Sequence, residues 1–254
     1  MASEGDSKTV SGGLRVQLDQ PELPQGESTR LSFRVLADEG SAVTEFEIEH
    51  ERKMHLIVAR RDLTGFQHLH PEMADDGTWS TEINLPDAGA YRVFADFSHE
   101  GQSLTLGEDL VVDGDADYRE LPTQETETET ASGYKVSVEG EAAQAGQESL
   151  LAFGVLRSGE PIKVEPYLGA DGHLVALREG DLAFLHVHPM SGAGGHGGHP
   201  EHGGHAEHEE DDPGSSDGIR FMTQFPSEGR YRLFLQFKHE GEVHTAEFTR
   251  QVSG

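Results

Sequence analysis

One seventeen-residue segment is written twice in this chain. "HLIVARRDLTGFQHLHP" runs from His55 to Pro71 and "HLVALREGDLAFLHVHP" from His173 to Pro189, each with histidine at its first, fourteenth and sixteenth positions and proline at its last. This repeat constrains the fold more than any other feature, because a structure assigned to one copy must serve for the other. It extends in both directions. "GESTRLSFRVL" (26–36) returns as "GQESLLAFGVL" (146–156) 120 positions on, the histidine segments lie 118 apart, and "LPDAGAYRVFADFSHEG" (85–101) returns as "FPSEGRYRLFLQFKHEG" (225–241) 140 apart. The 22-residue step between the last two spacings falls on a Gly- and His-rich insertion, 191–217, in the second copy. Two units are a domain duplication, not a solenoid, which must stack more repeats to bury its core. The expected domains are therefore 8–113 and 133–254. The acidic stretch 114–132 between them has no apolar periodicity and reads as an extended or mobile linker.

Within each copy the apolar residues alternate. "LRVQLD", "TRLSFRVL", "HLIVAR", "TWSTEINL", "YRVFADFSH" and "SLTLGEDLVV" are short β-rich runs parted by Gly, Pro, Asp and Asn. No stretch carries a helical stripe. Roughly seven or eight strands per ~100 residues is the pattern of an antiparallel sandwich. The expected fold is thus all-β, with two tandem immunoglobulin-like antiparallel β-sandwich domains. The cysteine pair and buried tryptophan of antibody domains are not expected, so only the architecture is implied. "LPDAGAY" and "FPSEGRY" are turns entering a late strand, with Tyr91 and Tyr231 packing into the core.

The histidine segment reads as a β-hairpin around the polar turn "RDLTG". A turn centred between Asp62 and Leu63 sets His55 opposite His70, and sliding by one paired step sets it opposite His68. His68 and His70 share a face in either register, because side chains alternate. Same-face cross-strand Cβ atoms lie ~4.5–5.5 Å apart, which lets imidazoles converge on one ion with ~2.0–2.1 Å bonds. The second copy offers His173, His186 and His188 in the same way. His99 in "FSHEG" and His239 in "FKHEG" are candidates to close each set as a fourth ligand. A single H-x-H would be weak evidence, since two histidines can simply share a solvated face, but here four histidines repeat within one chain. His50 and His244 lack counterparts and read as ordinary surface residues, while Met54, Met73 and Met190 read as packing or loop residues.

Inside the insertion, His196, His199, His202, His205 and His208 recur every third residue. Gly and Pro exclude a stable helix there, and an extended three-residue period would align the rings on one side. Such a tract is a flexible chelator for copper, nickel or zinc. Its blander reading is an insertion that takes up metal only when metal is in excess.

Composition narrows the partners. The chain sets 47 acidic against 19 basic residues, a formal charge of −28, which disfavours nucleic acid and anionic membrane and attracts cations, although its plainer reading is solubility or adaptation to a salty habitat. Cysteine is absent, excluding disulfides and thiolate sites. The start, "MASEGDSKTV", lacks the features of a signal peptide, so the expectation is either a cytoplasmic protein or one whose leader or membrane tether is not in this sequence.

"PYLGADGHLVALREGDLAFLHVHP" with "FPSEGRYRLFLQFKHEGEVHTAEF" resembles bacterial secreted or membrane-anchored sandwich domains of the YtkA-like and copper-resistance-like kind. "KMHLIVARRDLTGFQHLHPE" looks like a diverged copy. The resemblance implies a secreted or cell-envelope location and association with copper, with zinc as the other candidate. The leading expectation is a non-enzymatic protein that buffers, sequesters or delivers copper, with a metal-transport protein as the expected partner. A copper- or zinc-dependent oxidoreductase or hydrolase using the same histidines is the alternative. A structural or adhesive sandwich pair without metal is the second alternative.

Overall fold

The computed structural model describes residues 13–140, 142–187 and 218–254, with only the backbone of His186. The chain divides into two compact units, Met1–Leu121 with Glu179–Ala183 and Pro122–Arg178 with Phe184–Gly254. The first contains β1 (Arg15–Leu18), β2 (Glu22–Leu23), β3 (Ser28–Leu36), β4 (His55–Arg60), β5 (Gln67–Leu69), β6 (Glu72–Met73), β7 (Trp79–Asn84), β8 (Gly89–His99) and β9 (Gln102–Val112). These form two sheets, ordered β1-β3-β7-β6 and β2-β9-β8-β4-β5. The second contains β10 (Glu127–Glu129), β11 (Tyr134–Glu139), β12 (Ala143–Gln144), β13 (Glu148–Arg157), β14 (Glu160–Pro161), β15 (His173–Arg178), β16 (Phe184–Val187), β17 (Ile219–Gln224), β18 (Gly229–His239) and β19 (Glu242–Ser253). Its sheets run β10-β11-β13-β14, with β17 also on β13, and β12-β19-β18-β15-β16. No helix occurs among the described residues.

Each unit is a sandwich because period-2 alternation gives both of its sheets one apolar face. In the first, Leu31, Phe33 and Val35 of β3 with Trp79 and Ile83 of β7 meet Leu56 and Val58 of β4 and Tyr91, Val93, Ala95 and Phe97 of β8. In the second, Leu151, Phe153 and Phe221 meet Leu174, Ala176, Leu233, Leu235 and Phe237. Trp79 is buried after all, stacked on Phe33 and edge-on to Phe46. The two tyrosines expected in the core are fully buried. Each also donates its hydroxyl to a carbonyl four residues back, Tyr91 to Asp87 at 2.8 Å and Tyr231 to Ser227 at 3.0 Å, the corner that pins the entry of this strand in immunoglobulin-like sandwiches. Gly89 and Gly229 open β8 and β18 at φ 128° and 137°, where a side chain would be strained.

The stretch read as an extended or mobile linker, 114–132, is tied down at both ends. Tyr118 lies over the buried Arg60 guanidinium, and the Arg119 amide donates to Asp62. Further on, β10 pairs with β11, so the second sandwich begins before residue 133. The reason is that acidic side chains can alternate with a paired backbone, and β10 is an edge strand that needs no apolar face.

The hairpin register is the first of the two alternatives. Leu56 faces Leu69 and Ile57 faces His68, which continues to His55 opposite His70. In the second copy Leu174 faces Val187 and Val175 faces His186, the same register 118 positions on.

Candidate metal centre

His55 opens β4, His68 sits within β5, and His70 follows it. Leu56 and Leu69 point into the core, so the pleat turns His55, His68 and His70 to the outer face of the same sheet. Their ring centroids are 5.2 Å (His55–His68), 5.1 Å (His55–His70) and 4.8 Å (His68–His70) apart. One nitrogen from each lies within 4.8 Å of the others. With metal–nitrogen bonds of ~2.0–2.1 Å, imidazoles around a tetrahedral ion hold their ring centres about 5 Å apart, so this spacing fits a shared ion with little movement.

The outer face is covered here. His55 is 3% exposed and the other two are half-buried. Nε2 of His55 lies 3.1 Å from the Glu49 carbonyl, which can only accept, so Nε2 carries the hydrogen and Nδ1 turns its lone pair toward the cluster. A ring fixed by donating its far N–H to a carbonyl is how metal-binding histidines are oriented. His68 Nε2 stands 3.0 Å from that Nδ1 and donates to it as an N–H. An ion would take over this lone pair, and His68 would present Nε2 in its other tautomer. Nε2 of His70 is shielded from solvent with no hydrogen-bond partner among the described residues. Leaving such a group unpaired costs ~1–3 kcal/mol. Burial, then the neighbouring His55, then Arg52 push the His70 imidazole down to about 4, so it is neutral at physiological pH. A neutral imidazole is the form that binds a metal.

His99 does not join them. Its strand does neighbour the hairpin, with His55 opposite Asp96. Three residues further along, however, His99 shares the core-facing parity of Phe97, on the other side of the sheet from His55. Its Nδ1–H donates to the Glu45 carbonyl at 2.8 Å. His239 departs in the same way, its Nδ1 held by the Tyr134 hydroxyl at 2.8 Å. His244 is not a plain surface residue either, for it is buried and bonded to Ser132. Met54 lies in the core and Met73 packs against it. His173 is buried like His55, with Nε2 3.4 Å from the Leu168 carbonyl. His186 is described by its backbone only. His188, Met190 and the tract residues His196, His199, His202, His205 and His208 lie outside the described residues.

His50, read in the sequence as an ordinary surface residue, stands beside the cluster. Its ring stands 6.1 Å from that of His55, edge-on at 73°. A signal was present: aligned at 118 positions, His50-Glu51 corresponds to Leu168-Gly169, and a glycine at that place marks a tight turn able to swing its first residue over the sheet.

Fold and site together define a tandem pair of immunoglobulin-like β-sandwiches, the first bearing an outer-face cluster of three histidines able to hold a metal. The chain belongs to the family DUF8832, a domain of unknown function, two copies of which match residues 8–114 and 128–254. No curated protein matches it. Among solved structures it is similar to FdeC, an Escherichia coli adhesin, at 15% identity and TM-score 0.30, covering 96% of this chain and 65% of that one. It is also similar to a Salmonella alpha-2-macroglobulin at 12% identity and TM-score 0.30, covering 97% of this chain and 15% of that one. Domains 5–6 of the S-layer protein SbsC match at 8% identity and TM-score 0.26, covering 94% and 96%. The chain thus spans less than two thirds of the adhesin and macroglobulin chains, and likenesses this weak carry nothing about binding or partners.

Proposed function

We propose that this protein binds copper outside the cytoplasm as a secreted or envelope-attached buffer or carrier, holding the ion as cargo rather than as a catalyst. The observation that carries the reading is the buried, neutral His70 nitrogen without a partner beside two further imidazoles, one of them fixed by a carbonyl. An all-imidazole set suits Cu(II) and Zn(II), and Cu(II) binds tighter in the divalent series. The resemblance to copper-handling sandwich domains supports that choice of metal and the extracytoplasmic setting. The tract from His196 to His208, tethered beside the second sandwich in sequence, would capture ions and raise their local concentration. Release would go to a metal-transport protein.

The test is metal retention. The full chain with the five tract histidines and His188 exchanged for Gln is expected to keep Cu(II) through desalting, measured by elemental analysis. His68→Ala is expected to weaken that binding by at least tenfold. Copper retained equally by both proteins would assign the metal elsewhere and end this reading.

A further inference from the structure

We propose that His50 is a fourth ligand of the first-domain centre, delivered by the two-residue turn His50–Glu51, which makes this site a closed four-imidazole cage. This rests on the reading of His55, His68 and His70 as a metal site and deepens it.

The turn is built and held. Glu49 and Arg52 exchange both backbone hydrogen bonds, N to O at 2.8 and 3.0 Å. His50 and Glu51 between them both take left-handed backbone, φ 48° and 63°. Such a turn ordinarily uses Asn-Gly or Gly-Gly, and a glutamate there is strained. The extended segment leading into it is clamped to the β8–β9 hairpin. His99 holds the Glu45 carbonyl, Ser98 Oγ and the Gly101 amide hold the Glu47 carboxylate, and Ser103 Oγ holds that of Glu49. The same Glu49 supplies the carbonyl that orients His55. One turn therefore both fixes a ligand of the triad and carries His50 beside it.

The second domain supplies an internal comparison. Its turn closes between Tyr167 and Ala170, with left-handed Leu168 and Gly169, and its clamp is kept, Glu165 accepting from the Gly241 amide. There the corner residue is leucine, 4% exposed. The turn position thus points inward in a copy where it can only pack, and packing alone needs no imidazole. In the first domain the corner is histidine, its Nε2 shielded from solvent and its ring 6.1 Å from that of His55. Rings sharing a tetrahedral ion stand about 5 Å apart, so the His50 ring would have to approach that of His55 by about 1 Å and to bring a nitrogen in among those of the triad, outside whose span it stands in this structure. Four protein ligands close a site, whereas three leave a position for exchange. The first domain is accordingly a slower-releasing holder than a three-imidazole site would be, and Leu168 offers no fourth ligand at the matching corner of the second domain.

The experiment uses the full chain with the five tract histidines and His188 exchanged for Gln, leaving the first-domain centre as the site under test. Cu(II) affinity is measured by chelator competition, and the number of coordinated imidazoles by pulsed EPR. His50→Leu copies the residue of the other turn, and His50→Asn keeps a side chain that tolerates left-handed backbone, so at least one variant retains the fold. Both are expected to bind Cu(II) at least tenfold more weakly and with one imidazole fewer than the parent. If the parent binds and both variants match it in affinity and imidazole count, His50 is no ligand while the triad stands. If the parent binds no Cu(II), the triad reading and this one fall together.

Discussion

At the scale of residues, His70 is half-buried and its imidazole is held well below the ordinary histidine value. Its folded value of about 4 lies below the ~6.5 of an exposed histidine, so the unfolded chain takes up the proton first. The contribution is neutral above the unfolded value. As pH falls from about 6.5 toward 4, native stability declines, by about 1–2 kcal/mol once solvent screening of a half-buried group is allowed for. Urea midpoints of chelator-treated protein are expected to drop over that window, and His70→Gln to flatten the drop. An unchanged slope in the variant would place the titration elsewhere. Asp62 acts in a separate, more acid window. Burial works to raise it, but the Arg119 amide, Thr64 and Arg60 outweigh this and hold it below the usual aspartate range. Its contribution is therefore present above the unfolded value and lost only as pH falls through the lower folded one.

At the scale of elements, the β4–β5 hairpin was legible in the sequence because everything that sets it is local. Alternation fixed which side chains share a face, and the turn between Asp62 and Leu63 fixed the register that places His55 against His70. His99 was not legible as a non-ligand. Whether it meets His55 depends on the pairing of β4 with β8, two strands some thirty residues apart, and a change of one residue in that pairing inverts the face. The corner that starts β8 can be tested in the same terms. Tyr91→Phe removes one hydrogen bond and is expected to cost ~0.5–1.5 kcal/mol in chemical denaturation. Gly89→Ala is expected to cost more than ~1 kcal/mol, since its Cβ would sit at φ 128° and 2.9 Å from the Tyr118 hydroxyl. A neutral Gly89→Ala would show that the corner carries no strain.

At the scale of the whole molecule, duplication supplies two self-contained cores, each with its own hydrophobic cluster. Two such units can melt separately, and a single unfolding free energy is not expected to describe both. An ion bound only by the native first domain should raise that domain's stability by about 2.7 kcal/mol at hundredfold excess over Kd. Calorimetry is therefore expected to show one transition moving up with Cu(II), the shift vanishing on chelation and in His68→Ala. A transition that ignores Cu(II) in the unsubstituted protein would contradict a native-state site. The copies share the strand order of one sheet, the tyrosine corner and the turn clamp, yet their turns differ at His50 and Leu168, so one scaffold presents two unlike corners.

The sequence alone determined the two-domain division, the all-β class and the common face of His55, His68 and His70, because repeat spacing and period-2 alternation are properties of neighbouring residues. Only the tertiary structure decided that His99 and His239 turn inward to hold backbone and hydroxyl groups, and that the His50 ring comes to lie beside that of His55. Those outcomes depend on inter-strand pairing and on a left-handed turn folded over the sheet, where residues distant in the chain meet through packing that no local pattern records.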